Sequence, residues 1–83
     1  MTVQFHPHAL ERLAERGATQ EEVIATVQTG ESFAAKFGRT GFRKRFAFRA
    51  TWRGEFYENK ELEVFAVPAN DGWLVITVVT RYD

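Results

Sequence analysis

Between Phe42 and Arg53 the chain alternates with a period of two, and no other stretch limits the possible folds as much. Phe42, Phe46, Phe48, Ala50 and Trp52 hold one phase, and Arg43, Arg45, Arg49 and Arg53 hold the other. Successive side chains of a strand point to opposite faces. A strand here buries an aromatic row and holds an arginine row out to water. Lys44 falls on the aromatic phase, which predicts a lysine reaching past the rim or a bulge at that point.

The formal net charge is zero, yet the charges are segregated. From Lys36 to Arg53 there are seven cations and no acid; from Glu11 to Glu31 five Glu stand against Arg12 and Arg16; from Glu55 to Asp71 five acids stand against Lys60. A basic centre inside a neutral chain predicts a polyanionic partner such as RNA.

Eighty-three residues make one domain, residues 1–83, with a thin core. Eight Phe, two Trp and two Tyr offset that thinness, because each aromatic buries a large area. There is no cysteine, so disulfides, thiolate metal sites and a cysteine nucleophile are excluded. The absence of cysteine and of an apolar run in the first ten residues predicts a cytoplasmic protein. The most apolar stretch, Trp73 to Val79, is far shorter than the ~20 residues a spanning helix needs, so no membrane partner is expected.

Thr2 to Phe5 reads as a first strand. Pro7 fits the first position of a helix that runs to Arg16 and stops at Gly17. Ala9, Leu10, Leu13 and Ala14 share one face of it. Thr19-Gln20-Glu21-Glu22 is a capping box that opens a second helix, with Val23, Ile24 and Val27 as its buried stripe and Gly30 as its end. The rest reads as sheet. A strand from Glu31 to Phe37 turns through Gly38-Arg39-Thr40-Gly41 into the arginine strand. Gly54 to Asn59 reads as a loop, Glu61 to Val67 as a strand ended by Pro68, and Asn70-Asp71-Gly72 as a turn. Trp73 to Tyr82 is apolar at both phases until Thr80, as a central strand covered on both faces would be. The fold class is α+β: β-α-α-β-β-β-β, with two N-terminal helices on one face of a small antiparallel sheet. Phe5, Leu10, Leu13, Phe33, Phe46 and Phe48 are expected in the core.

No strong catalytic motif is present. His6 and His8 lack a third ligand, so neither a metal nor another cofactor is expected. Two readings of the arginine strand compete. In one, Arg43, Arg45, Arg49 and Arg53 form a solvated face paired to Glu61 and Glu63. In the other they contact phosphates, together with Arg12, Arg16, Arg39 and Lys44; a guanidinium suits bidentate phosphate contact. His8, one turn before Arg12, is a helix-start packing residue or a neutral base for a ribose 2′-hydroxyl. Arg81 and Tyr82 are a frayed strand end, or an arginine for a pentacovalent phosphate and a phenol that hands over a proton.

His8-Ala9-Leu10-Glu11-Arg12-Leu13-Ala14-Glu15-Arg16-Gly17 followed by Thr19-Gln20-Glu21-Glu22-Val23 resembles the opening of an uncharacterised bacterial family. Its pattern is His-Ala-x-x-Arg-x-x-x-Arg-Gly and then a capped helix with Glu-Glu-Val. Gly38 to Lys44 and Val75 to Val78 resemble its later blocks. That family is similar to the BrnT and RelE-like toxins of bacterial toxin–antitoxin pairs. The resemblance implies a small α+β fold, a metal-independent ribonuclease and a cognate antitoxin protein as partner. It maps the RelE-like basic residues and C-terminal tyrosine onto Arg43, Lys44, Arg45, Arg81 and Tyr82. The expectation is an endoribonuclease acting on mRNA, free or on the ribosome, with His8, Arg43, Arg81 and Tyr82 as catalytic residues and the other arginines on the RNA backbone. The alternative is a non-catalytic module that docks RNA or a protein through the same basic strand, as ParE-like relatives of RelE act on a protein.

Overall fold

A computed structural model describes residues 2–83. Its elements follow the expected order: β1 (Val3–Phe5), α1 (Pro7–Arg16), α2 (Gln20–Thr29), β2 (Glu31–Ala34), β3 (Thr40–Trp52), β4 (Glu55–Ala69) and β5 (Gly72–Tyr82). The strands form one sheet in the order β1-β5-β4-β3-β2. Three of its four pairings are antiparallel; β1 lies parallel to β5, so the sheet is mixed. The parallel pair follows from the path of the chain. The two helices carry it from the β1 edge to the β2 edge across one face, and β5 returns beside β1 at the end.

Local chemistry sets the helix ends as the sequence predicts, with one addition. Pro7 opens α1, and the cap before it is His6, whose Nδ1 accepts from the His8 backbone N–H at 3.1 Å. Gly17 ends α1 with φ +71, and the carbonyl of Leu13 accepts its N–H. The α2 capping box is complete: Thr19 N donates to Glu22 Oε1 at 3.0 Å, and Glu22 N donates to Thr19 Oγ1 at 3.1 Å.

Several strand limits differ from the sequence reading. Glu55 to Asn59 is strand, not loop, because Arg53 and Gly54 make a two-residue turn with φ of 51° and 87°. Both positive values suit the hairpin turn whose twist matches its strands. β4 also runs through Pro68 to Ala69. Trp73 N donates to Thr2 O, so the Pro68–Trp73 pair is a non-hydrogen-bonded one and the proline ring faces a flank that β3 has already left. β2 stops at Ala34, where the chain enters a turn with Phe37 at φ +62. β5 is not central: β4 is, and only one face of either is covered by helices.

The core between helices and sheet is mostly aliphatic. Ala9, Leu13, Val23, Val27, Leu62, Val64, Ala66, Val75 and Val78 are buried, and Phe42 is the one aromatic among them. The expected aromatic core is thus corrected. Phe5 and Phe46 pack at its margin, Leu10 is 43 % exposed, Phe33 lies on the other face, and Phe48 joins a separate aromatic group. β3 and β4 overhang the end of β5, and Trp52, Tyr57 and Phe48 gather there around the Tyr82 ring, with centroids 5.3 to 5.6 Å away.

A lysine ties these layers together. Lys60 shares the core phase with Leu62 and Val64 and is 3 % exposed. Its ammonium donates to the Gly17 carbonyl and to Glu22 Oε1 (2.8 Å), and lies 5.3 Å from the Phe48 ring. Removing one partner of a buried pair strands the other charge, at a cost of about 3–5 kcal/mol when both are fully buried. Glu22 keeps a water-facing edge, so Lys60→Met is expected to lower stability by about 2–3 kcal/mol, measured by urea denaturation. Lys60→Arg keeps the charge but replaces a compact ammonium by a larger planar fork, and should recover less than half of that loss.

Candidate functional site

Cross-strand partners share a face, so the register divides the arginine strand. Lys44 pairs with Leu62 and Phe46 with Lys60, on the helix-covered face. Arg43 pairs with Glu63 and Arg45 with Glu61, on the bare face. The row does not continue. Between Ala47 and Ala50 the register shifts, and Arg49 takes φ +49. The bulge therefore sits at Arg49 and not at Lys44, whose Nζ lies 5.8 Å from the Phe46 ring. Beyond the bulge, Arg49 faces Glu58 at 3.8 Å, and Arg53 donates to the Glu15 carbonyl at 2.8 Å with its guanidinium 5.1 Å from the Trp52 ring.

On the bare face two arginines meet at one carboxylate. Arg43 Nε donates to Glu63 Oε2 at 3.1 Å, and Arg81 Nη1 reaches Glu63 Oε1 at 2.8 Å. The Glu63 side chain is 12 % exposed while Arg81 is 59 % exposed. Arg43 is also held by Glu31, at 3.2 Å, and lies 4.5 Å over the Phe33 ring. Phe33 itself lies flat across Gly41, where any Cβ would fall 2.3 Å from the ring. Beside them Arg45 Nη2 donates to both carboxylate oxygens of Asp83, at 2.9 and 2.8 Å. Glu63 is the anchor: Arg81 above all, and then Arg43, hold its carboxyl below the ordinary value against the opposing effect of burial. The pairing reading is thus correct for Arg43. Among the described residues it leaves N–H groups of both guanidiniums without a protein partner, since Arg43 uses Nε and Nη1 and Arg81 uses Nη1.

The four expected catalytic residues do not converge. Arg43 and Arg81 share Glu63. Tyr82 follows Arg81 but points to the helix face, where its hydroxyl donates to the Arg16 carbonyl at 2.8 Å. Burial raises its pKa, which makes the phenol a weaker proton donor than a free tyrosine. His8 lies at the other end of α1, about 12 Å along the helix from Arg16. Its Nε2 accepts from Arg12 Nε at 3.4 Å, and Arg12 also pairs with Glu15 at 2.7 Å. The physical reason is parity: neighbours on a strand face opposite ways, and a helix lying over one face cannot present its first turn to the other.

One end of the bare face is apolar. Phe33 meets Phe65 edge-on at 6.1 Å, and beyond it a cavity of about 550 Å³ opens between Phe37, Phe65 and Thr77, with Lys36 and Arg39 at its rim. Sequence reasoning assigned Phe33 to the core, read Phe37 as the end of the same strand on the same face, and gave Phe65 no role; Phe37 instead lies in the turn beyond β2. Glu63 was expected, with Glu61, as an acid paired to the arginine strand; that it is shared by Arg43 and Arg81 follows only from β4 lying between β3 and β5. Among the described residues no group of three or more His, Asp or Glu is placed to hold a metal ion. No described helix is long and apolar enough to cross a membrane.

The molecule is thus an α+β domain with a helix-covered sheet face and a bare one on which a buried glutamate holds two arginines. Residues 5–80 match the family described as Domain of unknown function (DUF4258), and the chain belongs to that family. No curated protein and no solved structure matches it.

Glu63 generates a pH prediction. Its folded pKa lies below the ordinary 4.5, so its stabilising effect is complete above that value and is lost as pH falls through the lower folded one. Urea midpoints taken from pH 6 down to pH 2.5 should fall more steeply for the wild type than for Glu63→Gln. Parallel curves would show that the carboxylate does not hold the two arginines.

Proposed function

We propose that this chain is the toxin of a toxin–antitoxin pair, similar to the BrnT and RelE-like toxins, and that it cleaves mRNA through its bare sheet face. The observation that carries the reading is the arginine pair on Glu63. Two guanidiniums held from behind by one carboxylate, with N–H edges turned to water, are preorganised for a phosphate. In this reading Arg43 and Arg81 bind the scissile phosphate and stabilise the charge that develops on it. Arg45 holds a neighbouring phosphate. The ribose 2′-hydroxyl attacks the adjacent phosphorus, the P–O2′ bond forms and the P–O5′ bond breaks. The 2′-hydroxyl proton leaves to water and the departing O5′ takes one from water, which leaves a 2′,3′-cyclic phosphate and a 5′-hydroxyl end. The reaction needs no metal or cofactor from the residues named. The cognate antitoxin is the protein partner, and the cytoplasm, where message is found, is the compartment.

A second reading is favoured by a specific observation: neither His8 nor Tyr82, the two residues expected to move a proton, stands on the arginine face. In that reading the chain is a binding module that docks RNA or a protein without cutting it.

Induced expression in a bacterium, with total RNA mapped for new 5′-hydroxyl ends, separates the two. The expected result is growth arrest with new ends, reduced about 100- to 1000-fold in Arg43→Ala and in Arg81→Ala, the range for loss of one charge-stabilising donor. His8→Ala and Tyr82→Phe should stay within a few-fold of wild type. Arrest without new ends would replace the ribonuclease by the binding module.

A further inference from the structure

The cavity beside Phe37 is not used by the chemistry above, and its surroundings are unusual. Phe37 is 87 % exposed and stands at φ +62, a backbone region that a bulky side chain rarely adopts. Gly38 follows at φ +70, and the turn closes through Arg39 N to Lys36 O at 3.2 Å and Ala35 N to Arg39 O at 3.1 Å. The core group does not include Phe37, and the contact of its ring is with a rim cation: the Arg39 guanidinium lies 5.9 Å from the ring centroid. The turn holds the ring over the same bare face that carries Phe65 and Thr77.

The cavity adjoins the arginine pair. Phe65 lies two residues along β4 from Glu63, about 6.8 Å by strand geometry. A single phenyl ring, Phe33, separates Arg43 from Phe65. The volume, about 550 Å³, falls among ordinary small-ligand pockets. Its lining includes Lys36 and Arg39 and no carboxylate. Aromatic walls, a hydroxyl at Thr77, two rim cations and a phosphate-binding pair one ring away match the parts of a nucleotide: a flat base, its polar edge and its phosphates. An acidic or purely apolar peptide would satisfy the rim or the walls, but not both together with the adjoining arginines.

We infer that this cavity is a nucleobase subsite: an unstacked base of single-stranded RNA sits between Phe37 and Phe65 while the adjoining phosphate lies on Arg43 and Arg81. The inference rests on the phosphate-binding reading of that pair and adds a base-contacting site to it. Phe37 supplies the stacking face, Thr77 reaches the base edge, and Lys36 and Arg39 hold the flanking backbone.

The test is a fluorescence-anisotropy titration of the full chain with a labelled 2′-O-methyl RNA octamer, which cannot be cut by 2′-hydroxyl attack. The same octamer with abasic sugars at its four central positions serves as the base-free backbone. Phe37→Gly removes the ring and keeps the positive φ, so the turn is retained; Phe37→Trp enlarges the stacking face. Wild type should bind the normal octamer at least about tenfold more tightly than the abasic one, as expected for one stacked base. Phe37→Gly should bind both like the abasic RNA, with the slope of log K against log salt unchanged. Phe37→Trp should match or exceed wild type. Arg43→Ala should instead lessen the salt slope by about 0.7, one phosphate contact on a single strand. Salt-dependent binding that ignores both the missing bases and Phe37→Gly would overturn the base subsite and leave the phosphate reading standing; it is also the outcome expected if the cavity takes a side chain of a protein partner. No binding of either octamer at low salt would overturn both.

Discussion

The fold depends on one buried ammonium. A domain this small has little apolar area with which to fix two short helices, and a ten-residue helix is marginal alone. Lys60 supplies what packing does not. Its ammonium stands under the corner between α1 and α2, takes the carbonyl of Gly17 on one side and the Glu22 carboxylate on the other, and rests against Phe48. Glu22 Oε1 in turn accepts Thr19 N, so the cap of α2 and the anchor of the sheet share one oxygen. Gly17 must be glycine here for two reasons. Its φ is +71, and a Cβ would fall 2.5 Å from the Tyr82 hydroxyl and 2.8 Å from Trp52. The corner is therefore located by contact with rings and by charge at once.

With both helices committed to that side, the other face has to be made compatible with water by side chains alone. Antiparallel sheets do this with an alternation of apolar and polar residues. Here the polar phase of the middle strands is an ion-pair lattice of Arg43, Glu63, Arg81 and Glu31. Exposed pairs of this kind contribute about 0–1 kcal/mol each, so stability alone is a weak reason for the lattice. Geometry is a better one. Glu63 is the least exposed member and bonds both arginines, which fixes two long side chains that would otherwise sample many rotamers. The lattice orders its cations and leaves their outer edges free.

The element order, both helix starts, the α2 capping box and the α+β class were legible because each depends on neighbours in sequence. Pro7, Gly17, Thr19 and Glu22 act within one turn of themselves. The hairpin turn at Arg53-Gly54 was not legible, since an arginine at positive φ carries no sequence mark. Nor was the bulge at Arg49, which breaks the arginine row that the period of two seemed to promise. The site was legible in part. Arg43 and Arg81 are far apart in sequence and were both singled out, but their meeting through Glu63 depends on β4 lying between β3 and β5. Parity alone placed Tyr82 on the face opposite Arg81, a consequence available from the sequence once both were assigned to one strand. Phe37 and Phe65 became visible only with the strand order.

The separation of Tyr82 and His8 from the arginine pair bears on what chemistry this face could support. A positioned general acid or base contributes typically 10²–10⁴-fold, and a charge-stabilising donor about 10²–10³-fold. Two ordered guanidiniums therefore stand on the same scale as a proton-transfer residue. In the proposed cleavage, transfer of the 2′-hydroxyl proton to water would be the slower route, and a site built this way would be a modest catalyst by its own groups. Much of its rate would come from holding the phosphate and the ribose in line, since positioning supplies up to about 7–11 kcal/mol of a barrier. That places unusual weight on whatever fixes the nucleotide next to the phosphate. Among the described residues the aromatic cavity, one ring away from Arg43, is the feature placed to do this, so the proposed cleavage and the proposed base subsite would depend on each other.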